Sequence, residues 1–214
     1  MTSFLTDRFD GALVIASDLH RKQFRKGTAV PYVTHLLSVT ALVLGHGGDE
    51  DQAIAALLHD AVEDQGGAPI LTMIRRGFGD RVAAIVEDCT DGHESPKPSW
   101  RVQKELHVAR LGRIRADALP VSIADKLDNT RHILAAFRIH HDATWNRFTA
   151  GRDDVLWYQR ALVEAYARVT GGSLLEALRE TVMQLELAVE AEDRGSPQSA
   201  RTRDVPREVQ QCAP

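Results

Sequence analysis

The stretch ALLHDAVED, residues 56–64, places one imidazole and three carboxylates inside an otherwise apolar run. Apolar residues recur there at helical spacing, which predicts a buried helix that continues through the whole stretch. On such a helix His59 lies one turn before Glu63, and Asp60 lies one turn before Asp64, so the four groups form one patch. Burial of a charged group is costly unless the group is paired or binds a metal. The stretch therefore predicts a partner, such as a cation, that neutralises these side chains.

Two residues elsewhere in the sequence fit the same chemistry. His35, in PYVTHLLSV, lies on the apolar face of the preceding predicted helix, and Asp125, in LPVSIADKLDNTR, follows the apolar run VSIA. Taken alone, the first is more often a core histidine, and the second is equally compatible with a surface acid paired with Lys126. With His59 and Asp60 they form a mixed nitrogen and oxygen set. Such a set suits Mn²⁺, Fe²⁺ or Mg²⁺ and differs from a thiolate zinc site.

The composition excludes several classes of protein. The net charge of −4 gives no global basic field for nucleic acid or an anionic membrane. Residues 1–20 lack the charged leader and long apolar core of a signal peptide or a membrane span. Cys89 and Cys212 form neither a metal-binding spacing nor a disulfide framework, which favours a reducing compartment. We therefore expect a cytoplasmic protein without nucleic-acid or membrane partners, whose oligomeric state the sequence does not predict.

Helical periodicity over most of the 214 residues predicts an all-α fold of about eight to ten helices. In the second half of the chain the predicted helices lie near 99–116, 119–138, 152–170 and 172–191. The last residues are polar and contain proline, with few large apolar side chains, so they cannot form a core. We expect residues 1–191 to form one folded domain and residues 192–214 to form a flexible polar tail.

A cluster of basic residues before His35 provides local positive charge that the acidic chain lacks as a whole. Its members are Arg21, Lys22, Arg25 and Lys26. They are suited to contact phosphate groups, and the alternative interpretation is a solvated loop face. A second basic group follows residue 90 and consists of Lys97, Arg101 and Lys104. These residues could face phosphates, but we interpret them as a solvated helix start.

Three segments resemble the hydrolase signatures of the Rel/SpoT alarmone enzymes, a branch of the HD-domain metal-dependent phosphohydrolases. They are HRKQFRKGTAVPYVTH (20–35), AALLHDAVED (55–64) and IADKLDNTR (123–131). The resemblance covers about residues 4–185. It leaves no room for the synthetase and regulatory regions of the long members, so the chain is similar to the single-domain small alarmone hydrolases. The resemblance thus implies an HD-domain helical bundle.

The same resemblance implies a role for each site residue. One Mn²⁺ would be bound by four residues: His35, His59, Asp60 and Asp125. Glu63 and Asp64 would position or deprotonate the attacking water. Arg25 and Lys26 would contact the base or phosphates of a guanosine nucleotide, and Asn129 would contact its sugar–phosphate side.

The implied reaction is removal of the 3′-pyrophosphate from guanosine 3′,5′-bis(diphosphate) (ppGpp) or its pentaphosphate, giving GDP or GTP and pyrophosphate. Two positions depart from the family pattern, because Gln65 and His132 stand where threonine is common. Because of these two differences the identity of the nucleotide substrate is undecided, and the alternative is a phosphatase acting on NADPH or another phosphorylated nucleotide. A non-catalytic nucleotide-binding HD module is a third possibility. It is disfavoured because no ligand and no acid of the motif is missing.

Overall fold

The computed structural model describes residues 5–90 and 98–195. Within these ranges the chain forms ten α-helices and two short 3₁₀ helices, and its only β-type pairing is an isolated bridge between Phe24 and Pro31. The predicted all-α bundle is therefore confirmed. The helices are α1 (Asp7–Leu19), α2 (Val33–Gly45), α3 (Glu50–Leu58), α4 (Ala61–Gln65), α5 (Ala68–Phe78), α6 (Asp80–Cys89), α7 (Trp100–Arg110), α8 (Leu119–His140), α9 (Arg152–Ala167) and α10 (Ser173–Gly195). The 3₁₀ helices span Leu111–Arg113 and His141–Arg147.

No helix in the described parts of the chain is long and apolar enough to cross a membrane. The cytoplasmic location and the lack of a nucleic-acid partner stay predictions from the sequence.

The last helix continues beyond the predicted boundary at residue 191. The α10 helix ends at Gly195, and its final turn is tied to the preceding part of the fold by ion pairs. Glu192 Oε2 lies 2.9 Å from His141 Nδ1, and Arg152 Nη1 donates to Asp193 Oδ1 at 2.7 Å. The last turn of α10, although polar, is thus in contact with the segments around His141 and Arg152. The rest of the predicted tail, 196–214, lies outside the described residues and stays a prediction.

Two groups of buried apolar side chains hold the bundle together. The larger group joins α1 to α6 with the first half of α8 and with parts of α9 and α10, and it includes Leu36, Ile54 and Leu127. The smaller group joins the second half of α8 to α9, α10 and the 3₁₀ helix His141–Arg147, and it includes Phe137 and Trp145. The long helix α8 therefore contributes to both cores, and residues of the candidate site lie along it beside each core.

The α3 helix is anchored at its start and almost wholly buried. Its N-cap Asp49 forms a capping box with Gln52, and every residue from Gln52 to Leu58 is buried. The helix ends at Leu58, since His59 and Asp60 form a turn before α4. The predicted continuous helix through residues 56–64 is thus wrong. In a regular helix, adjacent side chains point about 100° apart. Because His59 and Asp60 lie in a turn, their side chains are not held to this angle.

Candidate functional site

Four predicted metal ligands converge from three parts of the chain. His35 lies on α2 and Asp125 on α8, while His59 and Asp60 form the turn after α3. The Nε2 atom of His35 lies 3.3 Å from Asp125 Oδ1 and 3.5 Å from Asp60 Oδ2. The Nε2 atom of His59 lies 3.0 Å from the same Asp60 oxygen and 3.8 Å from the same Asp125 oxygen. The donor atoms of His35, His59 and Asp125 thus lie within 4.8 Å of one another, and Asp60 contacts the two imidazoles from beside them.

The donor atoms fit a small divalent cation. His59 Nδ1 lies 2.9 Å from the carbonyl oxygen of Ala56, which can only accept a hydrogen bond, so this nitrogen carries the proton. Nε2 of the same ring is buried and faces the carboxylate oxygens of Asp60 and Asp125, but neither contact has hydrogen-bond geometry. Ligands of an octahedral divalent ion at about 2.1 Å lie about 3 Å from one another. The closest separations in the cluster, 3.0 Å and 3.3 Å, agree with that spacing.

Electrostatics within the cluster favour the charged form of each group. Burial opposes charge on His35, but hydrogen bonds with Asp125 and other carboxylates outweigh it and raise the pKa to about 9. Burial likewise opposes ionisation of Asp60 and Asp125. The charge of the adjacent His59 nevertheless holds the pKa of Asp60 well below its usual range. The charge of Lys126 does the same for the pKa of Asp125. A bound cation would replace the imidazole protons as the counter-charge, because a ligating imidazole must be neutral.

A carboxylate that the sequence analysis did not single out holds His35 in place. Asp128 Oδ2 lies 2.6 Å from His35 Nδ1, so the ring presents Nε2 to the cluster. Ser38 donates a hydrogen bond to the other oxygen of Asp128. Burial opposes ionisation of Asp128, but the contact with His35 outweighs it and lowers the pKa. Its spacing from Asp125, three residues along the same helix, is the one signal in the sequence that places it near the cluster.

The two candidate aspartate ligands have hydrogen-bond donors of their own. The hydroxyl of Tyr32 donates to Asp60 Oδ2 at 2.6 Å, and Lys126 Nζ donates to Asp125 Oδ2 at 2.7 Å. Burial, and then the charge of Asp60, raise the pKa of Tyr32, so the hydroxyl keeps its proton. These contacts fix the orientation of both carboxylates.

The predicted acid pair lies on α4, immediately after the cluster. Glu63 and Asp64 are both exposed, as a role in contacting water requires. The backbone N–H of Asp64 donates to the carbonyl of Asp60 at 2.9 Å, and Asp64 Oδ2 accepts from Gln23 Nε2 at 2.7 Å. The turn at the His-Asp pair therefore still carries the acids one helical turn beyond the cluster.

A cavity of about 310 Å³ adjoins the cluster. Three of its lining residues bond directly to candidate ligands, namely Tyr32, Lys126 and Asn129. Five lining side chains are cations, and no described lining residue is a carboxylate. The cations are Arg25, Lys26, Lys104, Lys126 and Arg147. Aromatic and apolar side chains form the remaining wall and include Trp100, Phe148, Tyr158 and Leu162. The cavity is thus suited to a ligand with several negative charges and an apolar or aromatic part.

The structure separates the basic residues that the sequence grouped together. Arg25 and Lys26 line the cavity, whereas Arg21 is exposed and pairs with Asp18. Lys104 also lines the cavity, as the phosphate-facing alternative for this residue predicts.

Arg101 takes a different position from Lys104 on the same helix. Its guanidinium stacks 3.3 Å from the ring centre of Trp157 and donates to Asp154. Lys97 lies outside the described residues.

Arg25 connects the cavity to the metal cluster. It is only 8% exposed, and its guanidinium donates to Asn129 Oδ1 at 3.0 Å. The amide nitrogen of Asn129 in turn donates to Asp125 Oδ1. Arg147, which the sequence analysis missed, packs across the glycine of the RKG loop. A Cβ at Gly27 would lie 3.3 Å from the Arg147 Cγ, and the backbone there has a φ of +72°.

The cavity also contains uncharged polar groups without hydrogen-bond partners. Nε2 of His132 is buried and unpaired, and so is Oγ1 of Thr144, a residue that is 1% exposed. Burial, and then the positive charge of Arg25 and Arg147, lower the pKa of His132, so the ring is neutral. A neutral imidazole and a hydroxyl can each donate or accept a hydrogen bond.

Comparison with known proteins assigns the family. An HD-domain family model matches residues 12–156, which is more than half of the chain. The chain belongs to the HD-domain family. Membership implies a divalent metal, and the HD pair of this chain is the pair His59 and Asp60 that forms the turn after α3.

The HD domain is similar to proteins named for alarmone hydrolysis. Guanosine-3′,5′-bis(diphosphate) 3′-pyrophosphohydrolase MESH1 of Xenopus tropicalis is 36% identical over 132 residues, which cover 58% of this chain and 71% of the relative. The Drosophila melanogaster protein of the same name is 31% identical over 136 residues, covering 62% and 73%. A solved structure, described as a metazoan ortholog of SpoT that hydrolyzes ppGpp, matches with a TM-score of 0.71 at 27% identity, covering 86% of this chain and 98% of that one. The resemblance stated from the three signatures is thus confirmed.

Proposed function

We propose that this HD domain is a Mn²⁺-dependent hydrolase that removes the 3′-pyrophosphate from ppGpp and its pentaphosphate. The products are GDP or GTP and pyrophosphate. The observation that carries the proposal is the cavity lined by five cations, three of whose lining residues bond to candidate metal ligands. The relatives from Xenopus and Drosophila are named for this reaction.

The proposed metal is held by the two histidines and two aspartates of the cluster. Two imidazoles beside two carboxylates favour Mn²⁺ over the harder Mg²⁺, which prefers oxygen ligands. When bound, the ion neutralises phosphate charge and lowers the pKa of a water molecule. A metal at this place is supported by the donor atoms of His35, His59 and Asp125, which lie within 4.8 Å of one another.

The chain's own residues supply the other functions. Glu63 and Asp64 accept a proton from the attacking water, whose oxygen bonds to the phosphorus next to the ribose 3′-oxygen. The bond between that phosphorus and the 3′-oxygen breaks with its electrons on the oxygen, which takes up the proton that the acid accepted and becomes the 3′-hydroxyl of GDP or GTP, and pyrophosphate is released. Arg25 and Lys26 bind the phosphates or the base, and Asn129 contacts the sugar–phosphate side from its place between Arg25 and the cluster. The unpaired groups of the cavity then lie toward the base.

Hydrolysis of a phosphate on NADPH or another nucleotide is the second candidate function. It requires the same metal and the same acids but a different fit for the base. His132 is the observation that favours it, because a neutral imidazole in the cavity changes the hydrogen-bonding groups available to the ligand. A non-catalytic role is disfavoured, since all four candidate ligands converge and both acids are present.

Product analysis with purified protein and Mn²⁺ tests the proposal. We expect GDP and pyrophosphate from ppGpp, loss of turnover on chelation, and recovery on adding Mn²⁺. Release of phosphate from NADPH, with no hydrolysis of ppGpp, would favour the second function instead.

Two variants separate metal binding from general damage. The His59→Ala variant should lose both bound metal and turnover. His46→Ala is the matched control, because His46 is exposed at the end of α2 and should keep both. Full activity in metal-free His59→Ala protein would refute the mechanism.

A further inference from the structure

Gln23, in the segment between α1 and α2, contacts three polar side chains through its amide. Its Nε2 donates to Asp64 Oδ2 at 2.7 Å. Its Oε1 lies 2.7 Å from His20 Nδ1 and accepts from Gln65 Nε2 at 2.6 Å. Both ends of the amide are therefore engaged, and one of them contacts the candidate catalytic acid.

The chemistry of these neighbours fixes the orientation of the amide. An ionised carboxylate can only accept hydrogen bonds, so the group of Gln23 that faces Asp64 must be the NH₂ group. The oxygen of Gln23 then faces the other way, and its two neighbours must both donate to it. The His20 proton consequently lies on Nδ1. This one set of assignments satisfies the three hydrogen bonds of the Gln23 amide, while the other ring nitrogen of His20, Nε2, is buried without a hydrogen-bond partner among the described residues.

The donors that orient Gln23 are anchored beside the metal cluster. His20 is 2% exposed, and its ring stacks on Tyr32 with the centroids 5.2 Å apart and the planes 17° from parallel. The Tyr32 hydroxyl bonds to Asp60, a candidate metal ligand. The position of Asp64 is therefore linked to the position of the cluster through Gln23, the buried His20 and Tyr32.

We propose that Gln23 is a positioning residue for Asp64 in the hydrolysis described above, and the inference rests on that proposed function. Asp64 is exposed on a helix of five residues, so its carboxylate would otherwise sample several rotamers. The hydrogen bond from Gln23 selects one rotamer and occupies Oδ2. This leaves Oδ1 to accept the proton from water, at a fixed place relative to the metal cluster.

Gln65 takes part in the same arrangement and thereby gains a role of its own. Its side chain reaches Gln23 because it carries an amide where threonine is common. If Gln65 is truncated, His20 still donates to the Gln23 oxygen and keeps the amide oriented. The effect of changing Gln65 should therefore be smaller than that of changing Gln23.

Three variants test the proposal through their order. Gln23→Met keeps the length of the side chain and removes its hydrogen bonds, and kcat should fall about tenfold to a hundredfold. Gln23→Glu keeps the shape but places an oxygen against Asp64, so kcat should fall further. Gln65→Met should lower kcat by only a few-fold. KM and Mn²⁺ content should stay at the wild-type values in all three, because neither residue contacts the described cavity or the cluster.

A purely structural role predicts the opposite order and would overturn the proposal. Glu is closest to Gln in shape, so Gln23→Glu would then be the mildest variant, and thermal stability would fall in step with kcat. Gln184→Met is the matched control, because Gln184 on α10 bonds to Glu180 and lines neither the cavity nor the cluster, and it should keep wild-type kcat. The order is measured on whichever nucleotide the wild type hydrolyses. Turnover of NADPH alone refutes the proposed substrate, whereas a reversed order on any substrate refutes the role of Gln23.

Discussion

Removal of the Asp128 carboxylate should weaken metal binding without touching any candidate ligand. His35 presents Nε2 to the cluster because its Nδ1 is held at 2.6 Å by Asp128. In Asp128→Ala the ring loses this acceptor and is free to rotate, and its lone pair becomes less basic. Loss of such a partner typically reduces metal affinity by about tenfold to a hundredfold, which is about 1.4 to 2.7 kcal/mol.

A second substitution separates charge from orientation. Asp128→Asn keeps an oxygen that can accept from His35 Nδ1 but removes the negative charge. If orientation dominates, Asn should lose much less affinity than Ala. If charge dominates, Asp128→Ala and Asp128→Asn should lose a similar amount of Mn²⁺ affinity. Both variants lack the negative charge, and the orientation of the His35 ring that only Asn keeps would then make no difference. The 2.6 Å contact and the bond from Ser38, which also orients Asp128, lead us to expect the first result.

The assay is calorimetric titration of metal-free protein with Mn²⁺, together with the metal content after dialysis. Asp154→Ala serves as the control, because Asp154 bonds to Arg101 away from the cluster and should leave the Mn²⁺ Kd unchanged. Equal Mn²⁺ affinity in wild type and Asp128→Ala would refute the argument that Asp128 orients His35.

Three further outcomes follow from the same geometry. Since the pKa of His35 in the metal-free protein is raised to about 9, its contribution to stability is complete below about pH 6.5 and is lost as the pH rises through 9, so Tm of metal-free protein should fall over that interval. Mn²⁺ binding should release protons over the same interval, and calorimetry in buffers of different ionisation enthalpy measures this; a Tm that rises with pH would contradict the assignment. The His132→Thr variant should change the KM ratio between guanine and adenine nucleotides at unchanged Mn²⁺ content, and an unaltered ratio would exclude base recognition by this ring. The Gly27→Ala variant should destabilise the loop by about 1 kcal/mol, because φ is +72°, and should raise KM by displacing Arg147; a wild-type KM would show that Arg147 does not contact the substrate.

The residue types of the metal cluster could be predicted from the sequence, whereas the geometry of the cluster could not. His59 and Asp60 are conspicuous because their charges stand in an apolar run, and the run itself predicts a helix. The spacing of apolar residues does not reveal the turn that ends α3 at Leu58. The backbone N–H of Asp64 still bonds to the carbonyl of Asp60, so the helical spacing resumes directly after the turn. Asp128 was missed for a related reason. An acid on a long helix usually lies on its solvated face, and only the packing of α2 against α8 turns this one toward His35.

The nucleotide side of the site was less predictable because its residues depend on distant packing. Arg147 and Thr144 belong to a 3₁₀ helix whose position is set by the smaller core around Trp145 and Phe137. Lys104 reads as a solvated lysine near a helix start, and its place in the cavity follows from the packing of α7 on α9. No local pattern in the sequence reports these contacts.

The division of the bundle into two cores has a consequence for how substrate choice can vary. The candidate metal ligands are attached to the larger core, while Thr144, Arg147 and Phe148 line the cavity from the smaller one. Along α8, His132 lies seven residues beyond Asp125, which corresponds to about 10 Å of helix. Changes at that distance alter the fit of the base or the second phosphate group but leave the ligand geometry at Asp125 intact. The departure from the family pattern at His132 therefore affects the end of the site where substrates differ, and the hydrolytic end keeps its full set of residues.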